Sequence, residues 1–387
     1  MSFEREEPNY YGAGPALLPT DVLQQAALDL INYQNLGLGV GEISHRSKQA
    51  VSIVDETKVN LTRLLAIPDT HEVFFMQGGG TSGFSSSAAN LMAAYAKRTG
   101  KKGKAAYAVT GTWSKKAYEE ALRLGFEAEA VVDVKKQNGK FGDIPPTSEW
   151  KPVNSDYAYL YYCDNETVNG IEFQQVPEAY AAGVEIVADM SSNFLSRKID
   201  VSQYGLILAG AQKNVGLAGL SIYIIKKNLL EQAGDEELKQ LGVPLSPIAF
   251  HYPTVVQNNS AYNTIPIFTL HIINLVLKKL LAQGGLAVQE ATNGRKAAAL
   301  YSVLDSYPQL FKLPVATGVR SKMNIVFTIE GEGNEDEFLK LSGARGLTGL
   351  KGHRSVGGMR ASLYNAVTEK SVQSLVDFTK EFAESRK

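Results

Sequence analysis

Short apolar runs alternate with longer helical patterns between about residue 50 and residue 230. The runs EVFFM (72–76), KAAYAVT (104–110), YAYLYY (157–162), VEIVAD (184–189), LILAG (206–210) and LSIYII (220–225) are short enough to be buried strands. Between them, stretches such as FSSSAANLMAAYAKR and GTWSKKAYEEALRLG read as helices. An uninterrupted apolar run suits a strand covered on both faces, so the alternation predicts an α/β fold with a mainly parallel sheet.

The texture changes near Pro266. Two long helical patterns, 266–283 and 286–305, lead to SKMNIVFTIE, a helix near 335–342, the run MRASLY and a closing amphipathic helix. This predicts a large α/β domain over 17–265 and a smaller α+β domain over 266–387. The most apolar helical stretch, PIFTLHIINLVLKKLLAQ, is interrupted by His271, Asn274, Lys278 and Lys279. A membrane span needs about 18 uninterrupted apolar residues, so the stretch predicts a core helix.

Small and polar residues follow five of the runs at their carboxyl ends: QGGGTSG, GTW, CDNET, DMSSN and AQKN. In open α/β sheets ligands bind beyond those ends, so the five loops predict one site. GGGTSG (78–83) fits the dinucleotide pattern G-x-G-x-x-G, which makes an NAD oxidoreductase one reading. That pattern also needs an acid about 20 residues on to hold the ribose hydroxyls, and the chain offers Lys101, Lys102, Gly103 and Lys104 there. A glycine turn opening a helix still presents unpaired N–H groups to a single phosphate.

Lys213 lies in AGAQKNVGLAG, between two strand-like runs. A buried lysine is costly unless its charge is paired or removed, and forming an imine removes it. Taken singly, Lys213 reads equally as a strand-end residue reaching water, Asp189 as a helix cap and Trp113 as a packing residue. Together they suit pyridoxal phosphate. That cofactor needs a lysine, a carboxylate at its pyridine nitrogen and phosphate donors, and an indole could stack on its ring. SHR (44–46) and GHR (352–354) each set a histidine beside an arginine, and Arg360 follows six residues after Arg354. Guanidinium forks suit carboxylate and phosphate, although a surface role is the default for any one arginine.

Composition narrows the partners. In 387 residues, Lys plus Arg (39) nearly balance Asp plus Glu (40), so no global field favours nucleic acid or an anionic membrane. Any anion site is local. The single cysteine, Cys163, excludes an intrachain disulfide, and the first residues, MSFEREEPNYYGAGP, are acidic where a secretory signal is basic and then apolar. These features predict a reducing, cytoplasmic setting. No two of the five histidines stand four apart, so no bound metal is expected.

The segments AGAQKNVGLAG, ADMSSNFLSR, GGGTSGF, GTWS, CDNETVNGIEF, GEISHRS, YNTIP and KGHRSVGGMRASLYNA together resemble the phosphoserine aminotransferase family, class V members of the fold-type-I pyridoxal-phosphate enzymes. The resemblance runs from YGAGPALLP to the last helix. It implies a large domain on a mainly parallel, seven-stranded-type sheet and a small α+β domain on which residues 1–16 pack. It also implies a homodimer that exchanges an amino group between L-glutamate and 3-phosphohydroxypyruvate, giving O-phospho-L-serine and 2-oxoglutarate in L-serine biosynthesis.

Residue by residue, Lys213 matches the lysine that joins the cofactor, Asp189 the pyridinium partner, Trp113 the stacking ring and Thr167 the hydroxyl beside the phenolic oxygen. Gly80, Thr81 and Gln212 fall at phosphate-binding positions, and Asn263 and Thr264 match a pair donated by the second subunit. Arg360 is assigned to the substrate α-carboxylate, with His45, Arg46, His353 and Arg354 near the distal anion. Thr81 departs from the pattern, since bacterial members commonly carry arginine there. Two other readings remain within the same cofactor class: a cysteine desulfurase using Cys163, and a non-catalytic pyridoxal-phosphate carrier.

Overall fold

In the computed structural model, which describes residues 4–178 and 183–386, all six predicted runs are strands and a seventh joins them. The strands are β1 (His71–Gly78), β2 (Lys104–Val109), β3 (Ala128–Asp133), β4 (Tyr157–Cys163), the short pair β5 (Asn165–Glu166) and β6 (Ile171–Glu172), β7 (Glu185–Asp189), β8 (Leu206–Gly210) and β9 (Gly219–Lys226). The large sheet is seven-stranded, in the order β1-β9-β8-β7-β4-β2-β3. Only β9 runs against its neighbours; the pairs β8–β7, β7–β4, β4–β2 and β2–β3 are parallel. The other six strands therefore end on one edge, where the polar loops gather. The unanticipated β3 is an edge strand whose first residues are only half-buried, and Glu127 and Glu129 hide its apolar character in the sequence.

Alternation along the strands fills two cores. Phe75, Ala106, Leu160, Tyr162, Ile186 and Ile207 face one layer. Phe74, Tyr107, Tyr159, Tyr161, Val187 and Leu208 face the other, against the helix Gly80–Thr99. β4 is buried along its whole length, as a strand with both faces covered must be.

A three-stranded antiparallel sheet, β10 (Phe311–Lys312), β11 (Asn324–Ile329) and β12 (Met359–Ser362), forms a third core with the helix Glu369–Glu384. The apolar stretch after Pro266 is the helix Ile267–Ala282. Its Ile267, Leu270, Ile273 and Leu277 belong to the first core, packed with the helix Lys48–Leu65. No single helix among the described residues is long and apolar enough to cross a membrane. The next helix, Gly285–Asp305, starts in the first core with Leu286 and ends in the third with Leu300 and Leu304. That helix therefore links the two cores.

The segment around Tyr11 crosses from one part to the other. Tyr11 is buried, its N–H donates to the Thr348 carbonyl (2.9 Å) and its hydroxyl to the Ser371 carbonyl (2.7 Å). Its own carbonyl accepts from the Ser362 N–H on β12 (3.0 Å), and five residues on the Ala16 N–H donates to the Gln212 carbonyl (2.9 Å).

Candidate active site

Beyond the carboxyl edge lies a cavity of about 490 Å³, walled by the loops after β1, β2, β4, β7 and β8. Lys213 reaches into it from the turn after β8. Its Nζ donates to Thr167 Oγ1 at 2.9 Å and stands 5.9 Å from the centre of the Trp113 ring. Gly14 closes over the lysine stem. Its φ is +121°, and a Cβ there would lie 3.3 Å from Lys213 Cγ, so the backbone approaches as only glycine allows.

Asp189 ends β7 with its carboxylate buried. Oδ1 accepts from the Ser191 N–H (2.8 Å) and hydroxyl (2.6 Å), which leaves Oδ2 with a long contact to the Tyr161 hydroxyl at 3.5 Å. Burial raises this carboxyl above its usual range, while the Ser191 bonds and the Lys213 charge pull it back. One oxygen is thus anchored and the other held for a cationic or N–H partner.

The helix Gly80–Thr99 opens beside the cavity directly after β1. Its first N–H groups have no intrahelical acceptor and carry the positive end of the helix dipole. A Cβ at Gly80 would stand 3.5 Å from the Phe84 ring and 3.9 Å from Asp189 Oδ2, taking up space that is now open. Trp113 sits in the first turn of the helix Thr112–Arg123. That start is fixed by a residue the sequence reading passed over: Glu166 accepts from the N–H groups of Trp113 and Ser114 (2.8 Å each) and from the Ser114 hydroxyl (2.6 Å). Burial pushes Glu166 up to about 7 against these donors. Ser191 was missed as well; both stand in quoted motifs, and the Asp-x-Ser spacing of an Asx turn was the available signal.

The small domain supplies the remaining wall. Arg360, on β12, donates to the Thr167 carbonyl at 3.3 Å, and His353 lies in the preceding loop. Burial lowers the His353 pKa first, and the charges of Arg360, Arg354 and Lys116 lower it further. Gly80, Thr81, Trp113, Thr167, Asp189, Gln212, Lys213, His353 and Arg360 therefore meet at one cavity. Arg354 is exposed and does not line it. Neither do His45 and Arg46; Arg46 borders a separate groove with Lys48 and Asp55. Asn263 and Thr264 are exposed too, in a segment tied to β1 by Gln77 Nε2 donating to the Thr264 carbonyl (2.6 Å).

Two buried polar atoms of the wall, Trp113 Nε1 and Gln212 Oε1, have no hydrogen-bond partner among the described residues. With the half-satisfied Asp189, the open space at Gly80 and the amine of Lys213, the donor set fits pyridoxal phosphate. Cys163 is a poor nucleophile: it is buried, its Sγ donates to the Asn165 carbonyl (3.4 Å), and burial pushes its thiol well up.

The aminotransferase class-V family model matches residues 9–375. The chain belongs to that family. It is 58% identical to phosphoserine aminotransferase of Saccharomyces cerevisiae, over 99% of each chain. Its backbone matches the phosphoserine aminotransferase of Bacillus circulans subsp. alkalophilus with a TM-score of 0.89 at 36% identity, covering 99% of this chain and 100% of that one. A pyridoxal-phosphate-bound phosphoserine aminotransferase from Trichomonas vaginalis matches with a TM-score of 0.86 at 37% identity, over 97% and 100%. These three relatives, which span this chain almost end to end at 36–58% identity, are all phosphoserine aminotransferases.

Proposed function

We propose that this cavity transfers the amino group of L-glutamate to 3-phosphohydroxypyruvate, yielding O-phospho-L-serine and 2-oxoglutarate, with pyridoxal phosphate as cofactor. The observation that carries the reading is the meeting of Lys213, Asp189, Trp113 and Arg360 at one cavity, in a chain with a 58% identical full-length phosphoserine aminotransferase relative.

When bound, pyridoxal phosphate supplies the electron sink that lets an amino acid give up its α-proton. The protein's own groups do the rest. Lys213 would hold the cofactor, and its amine would move the proton at the substrate α-carbon, steered by the Thr167 hydroxyl. Asp189 would keep a proton at the pyridine nitrogen. Trp113 would pack against the cofactor and exclude water, and the N–H groups at Gly80 and Thr81, with Gln212, would hold the cofactor phosphate. Arg360 binds the α-carboxylate. His353 on the cavity wall is placed to hold the distal phosphate, or the γ-carboxylate of glutamate, and His45, Arg46 and Arg354, which do not line this chain's cavity, would complete that anion site in the assembled dimer. Elsewhere Arg295, Arg320 and Arg345 are paired with carboxylates, whereas Arg46, Arg354 and Arg360 have no such partner among the described residues, which suits groups awaiting an anion.

The substrate class is tested with Arg354→Ala. Charge-assisted hydrogen bonds contribute about 1.5–3 kcal/mol each, so losing two lowers kcat/KM toward 3-phosphohydroxypyruvate about 10²-fold. Pyruvate is expected to be a poor acceptor in both proteins. An unmoved ratio of the two efficiencies sinks the phosphate reading.

The enzyme works as a homodimer in the cytoplasm in this reading. Leu28, Ile31, Leu36 and Leu38 form an exposed apolar stretch, with Ile31 69% exposed, of the kind a second copy covers. The exposed Asn263 and Thr264 then serve the neighbouring site. Mixing Lys213→Ala chains with chains carrying Asn263→Ala and Thr264→Ala is expected to restore one intact site per heterodimer, because both defects fall in the same site. No recovered activity after verified subunit exchange excludes the shared site.

A further inference from the structure

A cation beside the Trp113 ring of the cavity wall is not used by these roles. Lys116 lies one helical turn beyond Trp113, so the two side chains share a helix face. Its ammonium stands 4.5 Å from the centre of the Trp113 ring, nearer than Lys213 does. Its charge also acts on His353 together with those of Arg354 and Arg360, which puts all of them in one electrostatic cluster. Neighbouring cations on the same helix are already committed: Lys115 pairs with Glu119, and Arg123 with Glu120. Lys116 pairs with no carboxylate among the described residues, and it is exposed. Like charges gathered around one histidine repel each other until an anion enters. Thr81, on the cavity wall, brings a hydroxyl and no charge.

We propose that Lys116 is a specificity-determining residue for the acceptor, its ammonium passing from the face of Trp113 to the distal phosphate. This inference rests on the substrate reading above. A phosphate monoester carries a charge of about −1.5 to −2 at neutral pH with three strong acceptor oxygens, whereas a carboxylate carries one negative charge. An additional mobile ammonium therefore favours 3-phosphohydroxypyruvate over 2-oxoglutarate at the shared distal site. The indole face keeps the flexible lysine within reach, which reduces the ordering cost when the anion arrives.

The holoenzymes of the parent, Lys116→Gln, Lys116→Arg and the control Lys115→Gln are compared by steady-state kinetics. In Lys116→Gln the KM for 3-phosphohydroxypyruvate is expected to rise about tenfold with kcat nearly unchanged, as for a lost charge-assisted contact made equally in ground and transition states. The KM for glutamate changes less. Lys116→Arg restores most of the loss, and Lys115→Gln matches the parent. Titrating the parent with O-phospho-L-serine also changes tryptophan fluorescence as the cation leaves Trp113, and Lys116→Gln lacks that component. A KM unchanged in Lys116→Gln, or equal losses for both substrates, overturns the assignment while a parent preference for the phosphorylated acceptor keeps the substrate reading. A parent indifferent to the acceptor's phosphate overturns both.

Discussion

Lys213→Ala is expected to give a folded protein that cannot hold pyridoxal phosphate covalently. In the parent, borohydride reduction followed by peptide mass mapping places the pyridoxyl group on the peptide containing Lys213, and in the variant no peptide carries it. Turnover falls about 10⁴-fold, the upper end of what one positioned acid–base group contributes. The size of the effect follows from the surroundings. Among the described residues Lys213 is the only lysine lining the cavity, its Nζ is held by Thr167 and its stem is flanked by Gly14, so its amine is positioned by the pocket itself. A pyridoxyl group on another lysine, or turnover within about tenfold of the parent, removes Lys213 from the reaction.

Asp189→Asn has the next largest expected effect. The amide keeps the shape and can still accept the two Ser191 bonds, so the turn after β7 survives. What disappears is the negative charge that the proposed mechanism sets against the pyridine nitrogen. Two unit charges about 4 Å apart at an effective dielectric constant of about 20 interact by about 4 kcal/mol. Weakening the protonated ring by that amount lowers kcat on the order of 10³-fold. The absorption of the bound cofactor gives a second readout, since the ring nitrogen should lose its proton at lower pH in the variant. If neither the spectrum nor kcat moves, Asp189 is only the cap of its turn.

Much of this site is visible in the chain before any coordinates. Asp189, Lys213 and the GGGT turn each end an apolar run, and the sheet brings those ends together because six of its strands share one direction. β3 escaped notice because charged residues flank it at an exposed edge, where burial imposes no continuous apolar run. A change of periodicity marks where helices become long, whereas core membership depends on which face each helix buries. The clearest case is Leu277, which sits well past Pro266 yet packs in the first core. Glu166 was legible as a residue but not as a role: its partners at Trp113 and Ser114 lie more than fifty positions earlier, and no local pattern reports that approach. Arg354 and Asn263 lie outside the cavity of one chain, and no local pattern in the sequence reports that placement.

The crossing made by the segment around Tyr11 bears on how the enzyme comes into being at the ribosome. Tyr11 is bonded to Ser371, 360 positions later, while Gly14 and Ala16 border Lys213 and Gln212. Closing so long a loop carries a large entropic cost that only late contacts can offset. All seven strands of the large sheet have been made once β9 is synthesised, but the wall beside the reactive lysine waits for nearly the whole chain. A nascent chain halted before Ser371 would therefore carry its lysine in an unfinished pocket, and capture of the cofactor becomes a late event in biogenesis.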